Sequence, residues 1–328
     1  MRVLCIHPSN TYNIGDMMTY LGSRYLLQQA IDDIEFVQFD IERAVREIDT
    51  YISQYNWGDI DLILLAGAPW LTYEEDISNP RPLRTMLTQA IARYPKAKKI
   101  ALGLGAFLAH QFMYRVRKVD FNISPFETFD LIVTRDVFAN LILHKYGVDN
   151  ILYYDTAIYS YFSLPSKPAS TRRNILIYYD PLVNDPKDHL PKEVWERYLD
   201  YQLEWAKANN AMIIGIDSGD ISSAMKHGVE CRFVADLDWL ARAMAVAPKV
   251  LSGRVHQAIL AQIMGCPKVQ CLPVDSRYTS ALNIGVDIVT PFPFFEIDRY
   301  KKLDFELSKL RDHTYEKYVI DLLRGVLL

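Results

Sequence analysis

Leu251-Ser252-Gly253-Arg254-Val255-His256 sets a guanidinium and an imidazole two residues apart. Either side chain can hold an anion, and the imidazole can also move a proton near neutral pH. Whether they act together depends on backbone conformation. Inside a helix, residues two apart point about 200° from each other, at about 100° per residue. In an extended segment they share a face and Val255 turns away. The pair is therefore one site only if Arg254 precedes the first helical turn. Ser252 and Gly253 permit such a lead-in, and Val255, Ile259 and Ile263 then form the buried stripe of a helix. Gly265 suits a left-handed residue just past that helix, and Pro267 cannot extend it. Arg254 and His256 are the expected catalytic residues, with Ser252, Gly253 and the open N–H groups of the helix start binding an anionic substrate. The competing reading pairs Arg254 with a carboxylate and buries His256 as a satisfied core residue.

Four more loops follow strand-like runs. Leu272-Pro273-Val274-Asp275-Ser276-Arg277 brings a second guanidinium to the same pocket if its strand neighbours the one before it. Two arginines suit a ligand carrying both phosphate and carboxylate, because each can bind in a bidentate fork. An Asp275–Arg277 surface pair is the alternative. Near the start, His7-Pro8-Ser9-Asn10-Thr11-Tyr12-Asn13-Ile14-Gly15-Asp16 leads into a helix expected from Met17. Asp16 is its expected N-cap, and Gly15 allows a tight backbone. The many hydroxyl and amide groups of this loop place Asn13, Gly15 and Asp16 among the expected substrate-binding residues. Ala66-Gly67-Ala68-Pro69-Trp70 and Leu102-Gly103-Leu104-Gly105-Ala106 are glycine turns, and Gly103 and Gly105 would admit a ligand close to the backbone. Neither carries the third glycine or the downstream acidic residue of a dinucleotide fingerprint.

Several chemistries are absent. His7, His110, His144, His189, His227 and His313 show no metal-ligand spacing, and neither a nucleophile elbow nor a Walker lysine loop occurs. No metal or cofactor is expected. The formal charge of −4, from 36 basic and 40 acidic residues, argues against a nucleic-acid partner. No long uncharged apolar run suggests a membrane span. Cys5, Cys231, Cys266 and Cys271 lack CxxC spacing and read as buried free thiols, so a cytoplasmic location is expected. Met1–His7 reads as a first strand rather than a signal peptide.

The elements that must position these loops are short runs rich in Val, Ile and Leu. They are Val3–His7, Ile34–Phe39, Asp61–Ala66, Lys99–Leu104, Asp130–Thr134 and Ile151–Asp155. A second set comprises Asn174–Tyr179, Ala211–Ile216, Cys231–Val234, Lys249–Ser252, Lys268–Leu272 and Asp287–Thr290. Their alternation with stretches of helical period predicts an α/β chain of two Rossmann-like, doubly wound parallel sheets facing across a cleft. The Pro/Ser-rich stretch Pro165–Ser170 is the expected linker between domains at 1–164 and 174–303. A helical segment over 304–328 could cross back to the first. Tyr153, Tyr154, Tyr159, Tyr161, Tyr178 and Tyr179 flank that linker, where they would stack on a sugar ring or pack the domains together.

Read in order, these motifs resemble the polysaccharide pyruvyl transferases. Asn13-Ile14-Gly15-Asp16, Gly103-x-Gly105, Thr134-Arg135-Asp136, Asp155-Thr156-Ala157 and Ser252-Gly253-Arg254-Val255-His256 are similar to the family's motifs. The chain departs from the pattern at Tyr178-Tyr179-Asp180-Pro181, where the family often carries an arginine, and at Arg277, where a lysine is common. The resemblance implies a glycosyltransferase-B-like fold and a reaction needing no cofactor. In it, phosphoenolpyruvate donates a pyruvyl group to a saccharide, free or lipid-linked, as a ketal. It assigns His256 as proton donor or phosphate ligand, Arg254 and Arg277 as donor anchors, and the Asn13–Asp16 loop as the acceptor side. A nucleotide-sugar glycosyltransferase of the same fold, and a non-catalytic saccharide- or partner-binding descendant, are the competing functions.

Overall fold

The structure, a computed structural model, describes residues 1–7, 13–38, 57–67, 69–72, 82–108, 120–164, 172–181, 192–290 and 297–328. Pro8–Tyr12, Ala68 and the expected linker Pro165–Ser170 lie outside them.

Two parallel sheets form. The first comprises β1 (Arg2–Ile6), β2 (Glu35–Gln38), β3 (Leu62–Ala66), β4 (Pro69–Thr72), β5 (Lys98–Phe107), β6 (Leu131–Thr134) and β7 (Ile151–Leu152). Its order is β2-β1-β3-β5-β6-β7, with β4 paired to β5 off that path. All five side chains of β3 are buried, because helices cover both faces of the sheet. Strand β4 occupies part of the expected glycine turn. The long β5 shifts register on its β6 side between Leu102 and Leu104, and its far half offers Gly105–Phe107 to β4.

The second sheet holds β8 (Ile175–Ile177), β9 (Met212–Gly215), β10 (Arg232–Phe233), β11 (Val250–Ser252), β12 (Val269–Cys271) and β13 (Asp287–Ile288), ordered β10-β9-β8-β11-β12-β13. The chain reverses its direction of winding between β8 and β11. At such a switch point the loops leaving two neighbouring strands diverge and open a crevice.

Among the described residues the α-helices are α1 (Ile14–Ala30), α2 (Pro82–Arg93), α3 (Val137–Lys145), α4 (Lys192–Ala208), α5 (Ser218–Lys226), α6 (Leu237–Met244), α7 (Val255–Ile263), α8 (Tyr278–Asn283), α9 (Leu307–Arg311) and α10 (Thr314–Leu327). Helix α1 begins three residues earlier than expected. Asn13, not Asp16, is its N-cap: its Oδ1 accepts the Gly15 N–H at 3.0 Å, and Asp16 lies in the first turn. An acid there still complements the helix dipole, so both residues satisfy the local rule, and burial of Ile14 favours the earlier start. Helix α10 lies along α1, where Tyr25 donates to Glu316 at 2.9 Å and the Arg324 guanidinium bonds the Gln29 and Ala30 carbonyls.

The halves are stitched beside the crevice. The Leu108 N–H donates to Ser276 Oγ at 2.9 Å, the Ser276 N–H returns to the Leu108 carbonyl at 3.0 Å, and Ser276 Oγ donates to the Ala106 carbonyl at 3.1 Å. Among the described residues no helix is long and apolar enough to cross a membrane.

Candidate active site

Arg254 is the extended N-cap of α7, with φ −118° and ψ 129°. It therefore precedes the first turn, as a shared face with His256 requires. The Ser252 hydroxyl fixes this lead-in: it accepts the Arg254 N–H at 3.1 Å and donates to the Arg254 carbonyl at 2.6 Å. Ser252 is fully buried, so it shapes the turn instead of meeting a ligand. Arg254 and His256 both line a cleft of about 220 Å³, with Asn13, Tyr179, Gly253, Asp275 and Arg277 among the other walls. The cleft sits where β8 and β11 diverge. Of the six tyrosines expected near the linker, only Tyr179 lines it. Tyr153, Tyr154 and Tyr159 instead pack against Tyr315 of α10.

The first half supplies the surroundings of His256. Gly15 faces the ring so closely that an added Cβ would stand 2.8 Å from His256 Cγ and 2.9 Å from its Cβ. This close approach is what Gly15 permits. On the other edge, Arg135 Nη1 lies 2.9 Å from His256 Nε2, and Asp155 Oδ2 lies 3.4 Å from that nitrogen and 3.2 Å from Arg135 Nη1. A guanidinium can only donate, so Nε2 accepts and the neutral ring carries its proton on Nδ1. Nδ1 has no hydrogen-bond partner among the described residues.

Arg135 and Asp155 are both buried. Burial by itself would push the Asp155 carboxyl up. The Arg135 guanidinium, His256 and the Ala157 N–H outweigh it and hold the group down at about 2. Asp136 caps α3 through the Ala139 N–H at 2.7 Å and takes the Ala106 N–H at 2.8 Å. Its burial prevails and pushes the carboxyl up to about 6.

Gly103 and Gly105 serve packing rather than a ligand. A Cβ on Gly105 would stand 2.6 Å from Arg135 Nε, and one on Gly103 2.8 Å from Thr156 Oγ1. Both glycines are buried in β5, and neither lines the cleft. Asp16 is half-buried in the first turn of α1 and is likewise not among the lining residues.

Both alternative pairings occur in the structure, since each guanidinium already has carboxylate partners. Arg254 Nη2 donates to Asp217 and Asp220. Arg277 donates to Asp275 from Nε at 2.9 Å and from Nη2 at 2.5 Å, and lies over the Phe107 ring. Carboxylates therefore compensate both guanidiniums. Sequence reasoning left Arg135, Asp155, Asp217 and Asp220 out of the site. Their signal was position: each stands just past the carboxyl end of a strand, or one helical turn beyond. Among the described residues no three His, Cys, Asp or Glu side chains converge as a metal site.

A fully buried histidine adds a pH dependence. Burial, reinforced by the positive Arg135 and by His256, pushes His7 down to about 3. Its Nε2 lies 3.0 Å from Thr19 Oγ1, and that hydroxyl donates to the Asp16 carbonyl, so His7 donates. As pH falls below about 6.5 the unfolded chain protonates His7 while the folded chain does not until about 3, so stability is lost across that window. Asp136 acts oppositely: the folded chain takes up its proton below about 6 and the unfolded chain only below about 3.8, so stability is gained. From pH 7.5 to pH 5, His7 should withdraw about 2 kcal/mol and Asp136 return about 1 kcal/mol. His7→Gln should remove the loss, so its urea midpoint rises relative to wild type on acidification. Parallel shifts of the two proteins would refute the assignment.

Comparisons place this arrangement among known proteins. A family model described as polysaccharide pyruvyl transferase matches residues 13–276, most of the chain. Similar solved structures include S. aureus MnaA with UDP, at 11% identity over 100% of this chain and 90% of that one, with a TM-score of 0.54. Another is the UDP-GlcNAc 2-epimerase of Methanocaldococcus jannaschii, at 10% identity over 99% of each chain, with a TM-score of 0.52. At such identities the likeness is one of fold, which is GT-B-like. A search of curated proteins found no match.

Proposed function

This chain belongs to the polysaccharide pyruvyl transferase family and is a transferase; from that premise we propose that it moves the pyruvyl group of phosphoenolpyruvate onto a saccharide as a ketal. One observation carries the reading. An imidazole held at Nε2 by Arg135 and Asp155 lines the same cleft as Arg254 and Arg277.

Phosphoenolpyruvate is small and carries up to three negative charges. Arg254 and Arg277 bind its phosphate and carboxylate by charge-assisted hydrogen bonds. His256 delivers a proton to the enol methylene. Positive character develops at the adjacent carbon, and a sugar hydroxyl attacks it, its proton passing to the imidazole that gave one up. Phosphate leaves, and a second hydroxyl closes the ketal. Asn13 also lines the cleft and holds the acceptor in this reading. The chemistry calls on no metal. The four cysteines are unpaired, which suits a reducing, cytoplasmic setting.

The test pairs binding with turnover. Phosphoenolpyruvate should raise the melting temperature, by an amount equivalent to about 2.7 kcal/mol at a hundred times Kd. It should also release phosphate only when a suitable β-galactoside, mannoside or glucosamine-containing acceptor is added. Stabilisation by nucleotide sugars and not by phosphoenolpyruvate would replace this reading with a glycosyltransferase.

A further inference from the structure

Among the described residues Arg254 is engaged on one side only. Its Nη2 donates to Asp217 Oδ2, and to the two Asp220 oxygens at 3.1 and 2.9 Å. Its plane lies over the Tyr179 ring, 4.7 Å from the centroid. Nη1 makes no hydrogen bond among the described residues. Two carboxylates beside an anion site admit opposite roles. They could compete with the incoming anion, as a latch that must open, or they could hold the arginine in place.

The acids' own bonds decide between these. Asp217 Oδ1 accepts the Asp220 N–H at 2.9 Å and caps α5, which fixes the carboxylate whose other oxygen meets Arg254. Asp220 is fully buried, and its Oδ2 also accepts the Ile216 N–H at 3.2 Å. Burial pushes the Asp220 carboxyl up, and Arg254 opposes that shift, so the pair is held from both sides. Neither acid can swing away without leaving a backbone N–H unmatched. A latch needs a partner that can leave, and these cannot.

We propose that Asp217 and Asp220 are positioning residues that grip Arg254 by Nη2 above Tyr179 and so present Nη1 to the anionic end of a substrate in the cleft. The inference rests on the donor reading above, and extends to any compact anion that Arg254 binds.

Charge alone predicts the contrary result. Deleting a carboxylate beside an arginine makes the cleft more positive and should tighten anion binding. Loss of positioning should weaken it. Asp217→Asn is the primary variant because Asp217 is 37% exposed and the change is nearly isosteric. Asp220→Asn and Asp220→Glu, checked for folding by melting temperature, are the secondary pair. Titrations with phosphoenolpyruvate and with inorganic phosphate should show Kd raised about tenfold or more in Asp217→Asn, a scale consistent with misplacing a binding group. With phosphoenolpyruvate the loss should fall more on KM than on kcat. Asp220→Glu should recover part of what Asp220→Asn loses. In an Arg254→Ala background, Asp217→Asn should have no further effect, because the two changes remove one interaction. Unchanged or tightened binding of both anions in Asp217→Asn overturns the proposal, as does failure of wild type to bind either anion. Phosphate binding that responds to Asp217→Asn without phosphoenolpyruvate turnover would leave the grip standing and remove only the donor reading.

Discussion

Replacing His256 with alanine should lower turnover by about a hundredfold to ten-thousandfold, the usual worth of a positioned proton donor. The loss should appear in kcat and kcat/KM together, with KM for phosphoenolpyruvate changing less, because Arg254 and Arg277 still hold the donor. The fold should survive. His256 lies at the second position of α7, and Arg135 retains Asp155 when the ring is gone. His256→Asn is the informative companion, since an amide can hydrogen-bond a phosphate but cannot deliver a proton. Recovery of activity in His256→Asn would mean that the residue binds the departing phosphate. Turnover within about threefold of wild type in both variants would remove His256 from the chemistry.

Arg135→Met should cost about 3–5 kcal/mol of stability, because it strands the fully buried Asp155 carboxylate without its cation. The pH dependence should also change sign. In the wild type Asp155 titrates near 2, below its unfolded value, so its contribution is present above about 3.8 and is lost as pH falls through 2. Without Arg135, burial prevails and the carboxyl moves up, so relative to wild type the variant should gain stability as pH falls from 8 to 5. Urea denaturation at those two values reads the difference. Adding Asp155→Asn to Arg135→Met should restore much of the stability by removing the stranded charge. It should not restore turnover, because Nε2 of His256 would then lack the Arg135 N–H that fixes its tautomer. A single variant as stable as wild type, with flat pH behaviour, would show that the buried pair is not coupled as its distances imply.

What the sequence conveyed about this site divides by range. The extended lead-in at Arg254, the helix from Val255 and its stop at Gly265 were legible because each depends on neighbours within a turn or two. The strands were legible as apolar runs, apart from β4, which forms only because β5 extends past its partners. The N-cap of α1 was misplaced between two residues that both obey the capping rule; packing of Ile14 and Gly15 broke the tie, and no local signal could. The glycines at 103 and 105 announced that space was needed without saying what fills it, which proved to be Thr156 and Arg135.

The sequence by itself determined two parallel α/β halves, the side-by-side emergence of residues 254 and 256, and the compact-anion chemistry that those types can perform. Only the tertiary structure decided which groups govern them. The imidazole is set by Arg135 and Asp155 from the other half of the chain, and the guanidiniums by Asp217, Asp220 and Asp275. The physical reason is that backbone conformation and helix capping are short-range and recur wherever the local pattern recurs. The proton placement and charge of a buried group depend on whichever side chains the packed sheets bring within a few ångströms, and those partners are 121 and 101 residues away along the chain for His256.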